Sequence, residues 1–399
     1  MLRDRARGSR PLTYSGAVPL SSRDRAVLAA VRRNPRISVT DLSLALDVPS
    51  AAVRESLDVL ETAGFVSGRG FLVGARRPIV VIGGAVMDVK MQTAAPALIR
   101  TSNPGRASWT PGGVGRNIAE NLARLGALVE LVAPIGADPP GIELADRTRQ
   151  AGVGVDRLIR TTHATGIYCA VVDSSGELVI GVSDMEGTDQ MTVRMLAPHQ
   201  DLVSRAELVI LDGNLPAPVT GWVLDFVAAS RVPVVIDPVS VAKAAPLATT
   251  LAPRRPVHTI TPNLDELAAI VGLPVPNETE AIVAAAAQAH DLGVAHVWVR
   301  RGPLGSLLSS REEGSAQSVV ELAAPAATVI DVTGAGDSMT AGFVHAWLAT
   351  GDVVEAARFG QALASLTVES IHTVRPDLSE DLVEARLART DPARLRGAR

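Results

Sequence analysis

The rhythm of apolar and polar positions changes near residue 78. Between Ser21 and Val73, apolar residues recur at the three-and-four spacing of short helices. Ala26, Val27, Ala30 and Val31 form the stripe of a first helix, capped by Ser22 and ending before Asn34-Pro35. Leu42, Leu44, Ala45 and Leu46 follow in a second, capped by Thr40. Val53, Leu57 and Leu60 follow in a third, capped by Ser50 and closed by Gly64. Phe65-Val66 and Phe71-Leu72-Val73, joined by Ser-Gly-Arg-Gly, predict a small hairpin. Residues 1–20 lack periodicity and are expected to be a flexible leader.

After Arg76-Arg77-Pro78, short β-branched runs alternate with Ala/Leu-rich amphipathic stretches. Strands are predicted at Ile79–Gly83, Val129–Ile135, Leu208–Asp212, Val232–Asp237, Thr259–Thr261 and Val294–Arg300. Helices are predicted near Asn117–Leu125, Ile142–Ala151, Pro218–Ala229, Asp265–Val271, Glu278–Leu292, Gly336–Ala349 and Ala356–Ser370. Such alternation predicts a parallel sheet covered on both faces. Two segments, about 89–110 and 165–183, interrupt it with Gly, Thr and alternating apolar residues, and are expected to add strands outside the main sheet as a lid.

Composition narrows the class. With 47% hydrophobic and 20% charged residues over 399 positions, the chain can bury large cores, and its length suggests two or three units. An aromatic share of 3% argues against a base-stacking platform for single strands. Cys169 stands alone, which excludes an internal disulfide and a multi-cysteine metal site. No apolar run is long enough to span a bilayer, so the expectation is a soluble cytoplasmic protein without membrane partners. The net charge of −4 hides a split: residues 1–77 are +6 and the rest −10. A basic front on an acidic body suggests a module that faces a polyanion.

Three motifs carry chemistry. Asp331-Val332-Thr333-Gly334-Ala335-Gly336-Asp337 opens an apolar helix. A Gly-Ala-Gly turn there exposes backbone N–H groups at the positive end of the helix dipole, where an anion can sit. Asp337 at its rim can take a proton from a hydroxyl attacking a phosphoryl group. Pro111-Gly112-Gly113-Val114-Gly115-Arg116-Asn117 leads into another helix, and its glycines let backbone close around a small polyhydroxyl ligand. Asn117 can donate to and accept from a hydroxyl. Thr261-Pro262-Asn263-Leu264-Asp265-Glu266-Leu267 sets Asn263 and Glu266 on one turn, where they can organise hydrated Mg²⁺ and phosphates. The same spacing also makes a capping box.

Together these motifs resemble the ribokinase-like family of sugar and nucleoside kinases, in the family's order and over most of the chain from Ile79 to about Leu387. Val332 and Met339 depart from the family's pattern. The resemblance implies a three-layer α/β/α sandwich with a small β-sheet lid over residues 77–390, and ATP and Mg²⁺ as cofactors. It makes Asp337 the base and Gly334, Ala335 and Gly336 the anion hole. Asp88, Gly112, Gly113 and Asn117 would hold the acceptor. Asn263, Glu266, Arg301, Gly302, Gly305 and His372 would lie by ATP, with Glu266 reaching Mg²⁺ through water. Asp331 and Thr333 would help hold a monovalent cation such as K⁺. Ser102-Asn103-Pro104-Gly105-Arg106 and Ser183-Asp184-Met185 are similar to the pseudouridine kinase branch. That likeness places Ser183, Asp184 and Met185 over a base and makes Thr165 and Tyr168 lid residues. It also points to transfer to a ribosyl 5′-hydroxyl, with a kinase for another sugar or nucleoside and a sugar-sensing regulator as the alternatives. Lid pairing implies a homodimer.

The first 76 residues resemble a winged helix-turn-helix, spanning 21–76 after the leader. Its third helix and wing offer Ser50, Arg54, Ser56 and Arg69 to DNA, against Glu55, Asp58 and Glu61 on the same helix. The alternative is a packing module that keeps the fold without the activity.

Overall fold

A computed structural model describes residues 20–33, 37–63, 65–67, 72–73, 77–312 and 314–390. The leader up to residue 19, Asn34-Pro35, Gly64, the turn with Arg69, Phe71 and Arg76 lie outside the described residues. The chain divides into two compact units, one of residues 1–76 with Ala349–Gly351 and the other of Arg77–Leu348 with residues 352–399.

The first unit holds helices Ser22–Arg33, Val39–Leu46 and Ser50–Thr62, and a short antiparallel pair, Val66–Ser67 with Leu72–Val73. Their apolar stripes meet in one core, with Val27, Val31, Leu42, Val53 and Leu60 fully buried. The caps differ from the sequence expectation by one or two residues. Ser21 takes the Asp24 N–H and returns its own N–H to the Asp24 carboxylate. Ser38, rather than Thr40, caps the second helix through the Asp41 N–H, and the third begins after Pro49 with no side-chain cap. Each shift puts the cap immediately before the first residue with helical geometry, which the apolar stripe alone cannot locate.

The second unit is built on an eight-stranded sheet. In spatial order its strands are Ser318–Leu322, Ser306–Ser310, Val294–Arg300, Val257–Ile260, Val234–Asp237, Leu208–Asp212, Ile79–Ile82 and Val129–Val132. The six from Val294–Arg300 onward run parallel, and the first two add an antiparallel edge that the alternation did not announce. Period-two side chains split between two cores. Ile79 and Val81 pack with Ile118, Leu122, Phe343 and Leu363 of helices Val114–Arg124, Ala335–Thr350 and Val353–Thr367. Val80 and Ile82 pack with Val223, Leu267 and Ile282 of helices Ala217–Ser230, Leu264–Val271 and Thr279–Asp291. The result is a three-layer α/β/α sandwich. Helices Val241–Ala248 and Glu380–Thr390 were not foreseen. The predicted strand Val129–Ile135 divides, its second part pairing with Ile159–Thr161.

A separate four-stranded sheet forms the lid, in the order Leu178–Asp184, Ile167–Val172, Val86–Thr93 and Gly105–Gly112. It springs from the main sheet two residues beyond the Gly83-Gly84 turn, so the carboxyl ends of the parallel strands and the base of the lid converge. Among the described residues no helix is long and apolar enough to cross a membrane.

Candidate active site

Four parallel strands end in residues that face this convergence: Ile79–Ile82 in the Gly83-Gly84 turn, and the others in Asp212, Asp237 and Arg300. Asp337, in the first turn of Ala335–Thr350, completes it. Asp337 is buried, and Asn117 Nδ2 donates to its Oδ2 at 2.8 Å. Burial pushes its carboxyl up to about 7, helped by the charges of Asp237 and Asp212 and opposed by Asn117 and Arg300. Asn117 is oriented in turn by Arg116, whose Nη1 donates to the amide oxygen at 3.2 Å. Arg116 is itself buried and paired with Glu120. A carboxylate held near neutrality by its surroundings can accept a proton and give it up again.

The glycines have geometric reasons. Gly334 has φ +80°, and a β-carbon there would lie 2.2 Å from the Thr373 carbonyl oxygen. Gly336 lets the Arg300 guanidinium approach, since a β-carbon would stand 2.4 Å from Nη1. Gly113 has φ +95° and packs on the Gly84 carbonyl. Gly112 makes room for the Asp88 carboxylate, which a β-carbon would meet at 2.1 Å. Asp88 is largely buried, and burial raises its carboxyl to about 6 against the pull of Arg116.

Asp212 was missed by sequence reasoning. Its fully buried carboxylate accepts from the N–H groups of Gly84, Gly115 and Asn214 at 2.7, 2.8 and 3.0 Å, tying both glycine turns together. Burial raises its pKa against those three bonds. Its signal was only an acidic end to an apolar strand.

The lid register aligns Ser183, Tyr168, Asp88 and Thr110 in one cross-strand row, so their side chains share a face. The Met185 methyl lies over Gly84, 3.3 Å from where a β-carbon would be. Lys90, on the Asp88 face, reaches Asp331 at 3.8 Å.

A pfkB family carbohydrate kinase profile matches residues 76–380, and a winged helix-turn-helix DNA-binding profile matches 20–67. The chain belongs to the pfkB family. It is 35% identical over 303 residues to pseudouridine kinase of Escherichia coli (strain K12), covering 75% of this chain and 93% of that one. It is 32% identical over 363 residues to a sugar kinase, YeiI, of the same organism, covering 91% and 98%. The structure of Arabidopsis thaliana ribokinase complexed with ribose and ATP is similar at 27% identity and a TM-score of 0.66, covering 78% and 99%. The protein is therefore a sugar or nucleoside kinase with the ribokinase-like fold, a phosphotransferase with an alcohol acceptor.

Within this pfkB kinase several expected contacts fall elsewhere. Thr165 is 1% exposed, its hydroxyl and N–H bound to Asp138, which ties it to the root of the lid. Asp184 pairs with Ile167, one step from the Ser183 row and so on the opposite face, and accepts the Glu186 N–H. Arg301 turns away to Asn277 and Glu321, while Gly302 (φ +56°) and Gly305 (φ +88°) shape a hairpin to Ser306–Ser310. Asn263 and Glu266 form the reciprocal capping box, with N–H to oxygen distances of 2.8 and 2.9 Å. Glu266 remains buried, and burial raises its carboxyl. His372 is exposed beside Thr373, next to the Gly334 turn. Ser56 is fully buried and takes the Arg23 Nε–H, which removes it from any DNA surface, whereas Arg54 is exposed and Ser50 half-buried.

The residues fit Mg²⁺ held mainly by phosphates and water: Glu266 has one oxygen in its cap, and among the described residues no group of three acidic, His or Cys side chains is placed to hold a metal ion. Asp331 accepts the Thr333 N–H at 2.9 Å and lies 3.8 Å from Lys90 Nζ.

Proposed function

We propose that the protein transfers the γ-phosphoryl of ATP to the 5′-hydroxyl of pseudouridine. The observation that carries the chemistry is the Asn117–Asp337 hydrogen bond, which joins the two glycine turns at a buried carboxylate of pKa about 7. As the acceptor oxygen bonds to phosphorus, its proton passes to Asp337, and the bond to the ADP oxygen breaks with its electron pair leaving on ADP. The N–H groups of Gly334 and Gly336 take up the charge on the phosphoryl oxygens, while that of Ala335 donates to the Val332 carbonyl at 3.2 Å and holds the turn. Glu266 would hold the water of a bound Mg²⁺, which would supply positive charge against the phosphates. Asp88 orients the ribose, and Tyr168, Ser183 and Met185 cover the base; closure of the lid excludes water that would otherwise take the phosphoryl group.

The pseudouridine assignment is supported by the 35% identical relative of that name and by Ser183-Asp184-Met185. The similarity to YeiI favours a second reading, a kinase for another sugar or nucleoside. An ATP-consumption assay over pseudouridine, uridine, other nucleosides, ribose and fructose phosphates separates them. Pseudouridine should lead by at least tenfold in kcat/KM, and a tenfold lead for any other acceptor overturns the assignment. The winged helix-turn-helix match and exposed Arg54 support DNA as a further partner. Ile180, Val182, Met91 and Trp109 are exposed on one lid face and support a homodimer, which sedimentation would reveal. Cys169 without a partner and a need for ATP support the cytoplasm as its location.

A further inference from the structure

Arg300 ends the strand Val294–Arg300, and nothing in the sequence distinguishes it from its neighbour Arg301. Their side chains part company. Arg300 turns inward, and its Nη2 donates to Asp237 Oδ2 at 2.6 Å, to Thr340 Oγ1 at 3.2 Å and to Thr261 Oγ1. Thr340 donates to the same Asp237 oxygen at 2.9 Å. The two charged side chains are 14% and 4% exposed.

Two features go beyond a structural ion pair. Nη1 is packed against Gly336, so the guanidinium lies on the backbone of the turn itself. Nε is buried without a hydrogen-bond partner among the described residues. A buried donor left unsatisfied is costly, more so on a charged group, and calls for a partner that arrives with the ligand.

We propose that Arg300 is a phosphate-positioning residue: held by Asp237 and Thr340 beneath the Gly334–Gly336 turn, its guanidinium adds fixed positive charge to the turn's N–H groups and steadies the phosphoryl group during transfer. The inference rests on reading that turn as the phosphate site. Arg300 keeps its own proton throughout, and the acceptor's proton still goes to Asp337. Anchoring a cation in advance removes the reorganisation that a mobile side chain would need.

The test uses the full-length protein with Arg300→Met, Arg300→Lys, Asp237→Asn and the Arg300→Met/Asp237→Asn double variant, each checked for thermal unfolding. Arg300→Met should lower kcat/KM for ATP by about 10²-fold. Its acid limb should also move to higher pH, because Arg300 and the Asn117 amide draw the Asp337 pKa down, while burial, Asp237 and Asp212 raise it. Most of the loss should persist at pH 8.5, and the double variant should stay as slow. Arg300→Lys should recover part of the rate. Where Arg300→Met fails to fold, the double variant, which removes the buried pair as a unit, and Arg300→Lys carry the test. The proposal is overturned if folded Arg300→Met, or the double variant, stays within threefold of the wild type, or if the loss vanishes at pH 8.5. An active Asp337→Asn would instead remove the proton-acceptor reading, and the deficit of Arg300→Met at pH 8.5 is independent of it.

Discussion

Asp337 illustrates the conflict between stability and chemistry at one residue. Its folded pKa of about 7 lies above the ordinary carboxylate value, so the folded state holds this proton more tightly than the unfolded chain. Its stabilising contribution is complete below about pH 4 and is lost as pH rises through 7. Asp337→Asn should therefore raise the melting temperature by several degrees at pH 8, with the gain shrinking toward pH 4, as thermal scans at the two pH values would show. The same variant should lose at least 10²-fold in kcat, and the wild-type kcat/KM should fall below pH 7 as Asp337 takes up its proton. Gly112→Ala tests the acceptor side. Its β-carbon would collide with the Asp88 carboxylate, so KM for the acceptor should rise tenfold or more while ATP binding, measured by titration, stays unchanged. These motif residues were legible because glycine spacing and chemistry coincide in sequence. Asp212 and Arg300 were not, because their partners, Gly84 and Gly115 for one and Asp237 and Thr340 for the other, lie 97 or more and 40 or more residues away.

At the scale of elements, the lid and the third helix show how register and facing decide roles. Strand pairing brings Ser183, Tyr168 and Asp88 into one row and sends Asp184 to the other face. The motif Ser183-Asp184-Met185 could not reveal this, because adjacent residues look alike until the pleat is fixed. The helix Ser50–Thr62 exposes Arg54 beside Glu55, Asp58 and Glu61, and Glu55 already pairs with Arg23 at 3.1 Å. This face is acidic on balance, so DNA affinity from the first unit should be weak and should come from the other arginines before residue 78. A titration of the full chain on duplex DNA should show affinity falling at least tenfold between 50 and 200 mM salt. Arg54→Ala should weaken binding further, and salt-independent binding would contradict a groove reader.

Across the whole molecule, one more titrating cluster sets the pH range of stability. Burial lowers His258 to about 3 and His296 to about 4, and their rings lie 4.7 Å apart between Trp347 and the sheet. Both are folded as neutral rings, so the stability they share is present above the ordinary histidine value and is lost as pH falls through 6.5 toward 4. Over that interval the pair works against the gain from Asp337, so His296→Gln should shift the melting temperature upward at pH 4.5 relative to wild type by more than at pH 7.5, as a pH series of scans would measure. The sequence by itself determined the alternation of strands and helices, the lid segments, the charge break near residue 77 and the glycine motifs, because each is written in local period or spacing. Tertiary structure decided which carboxylates lie together, which lid residues share a face, and that one of two adjacent arginines turns inward under the Gly334–Gly336 turn. Those outcomes depend on which strand ends become neighbours, and burial there sets both proton affinity and hydrogen-bond partners.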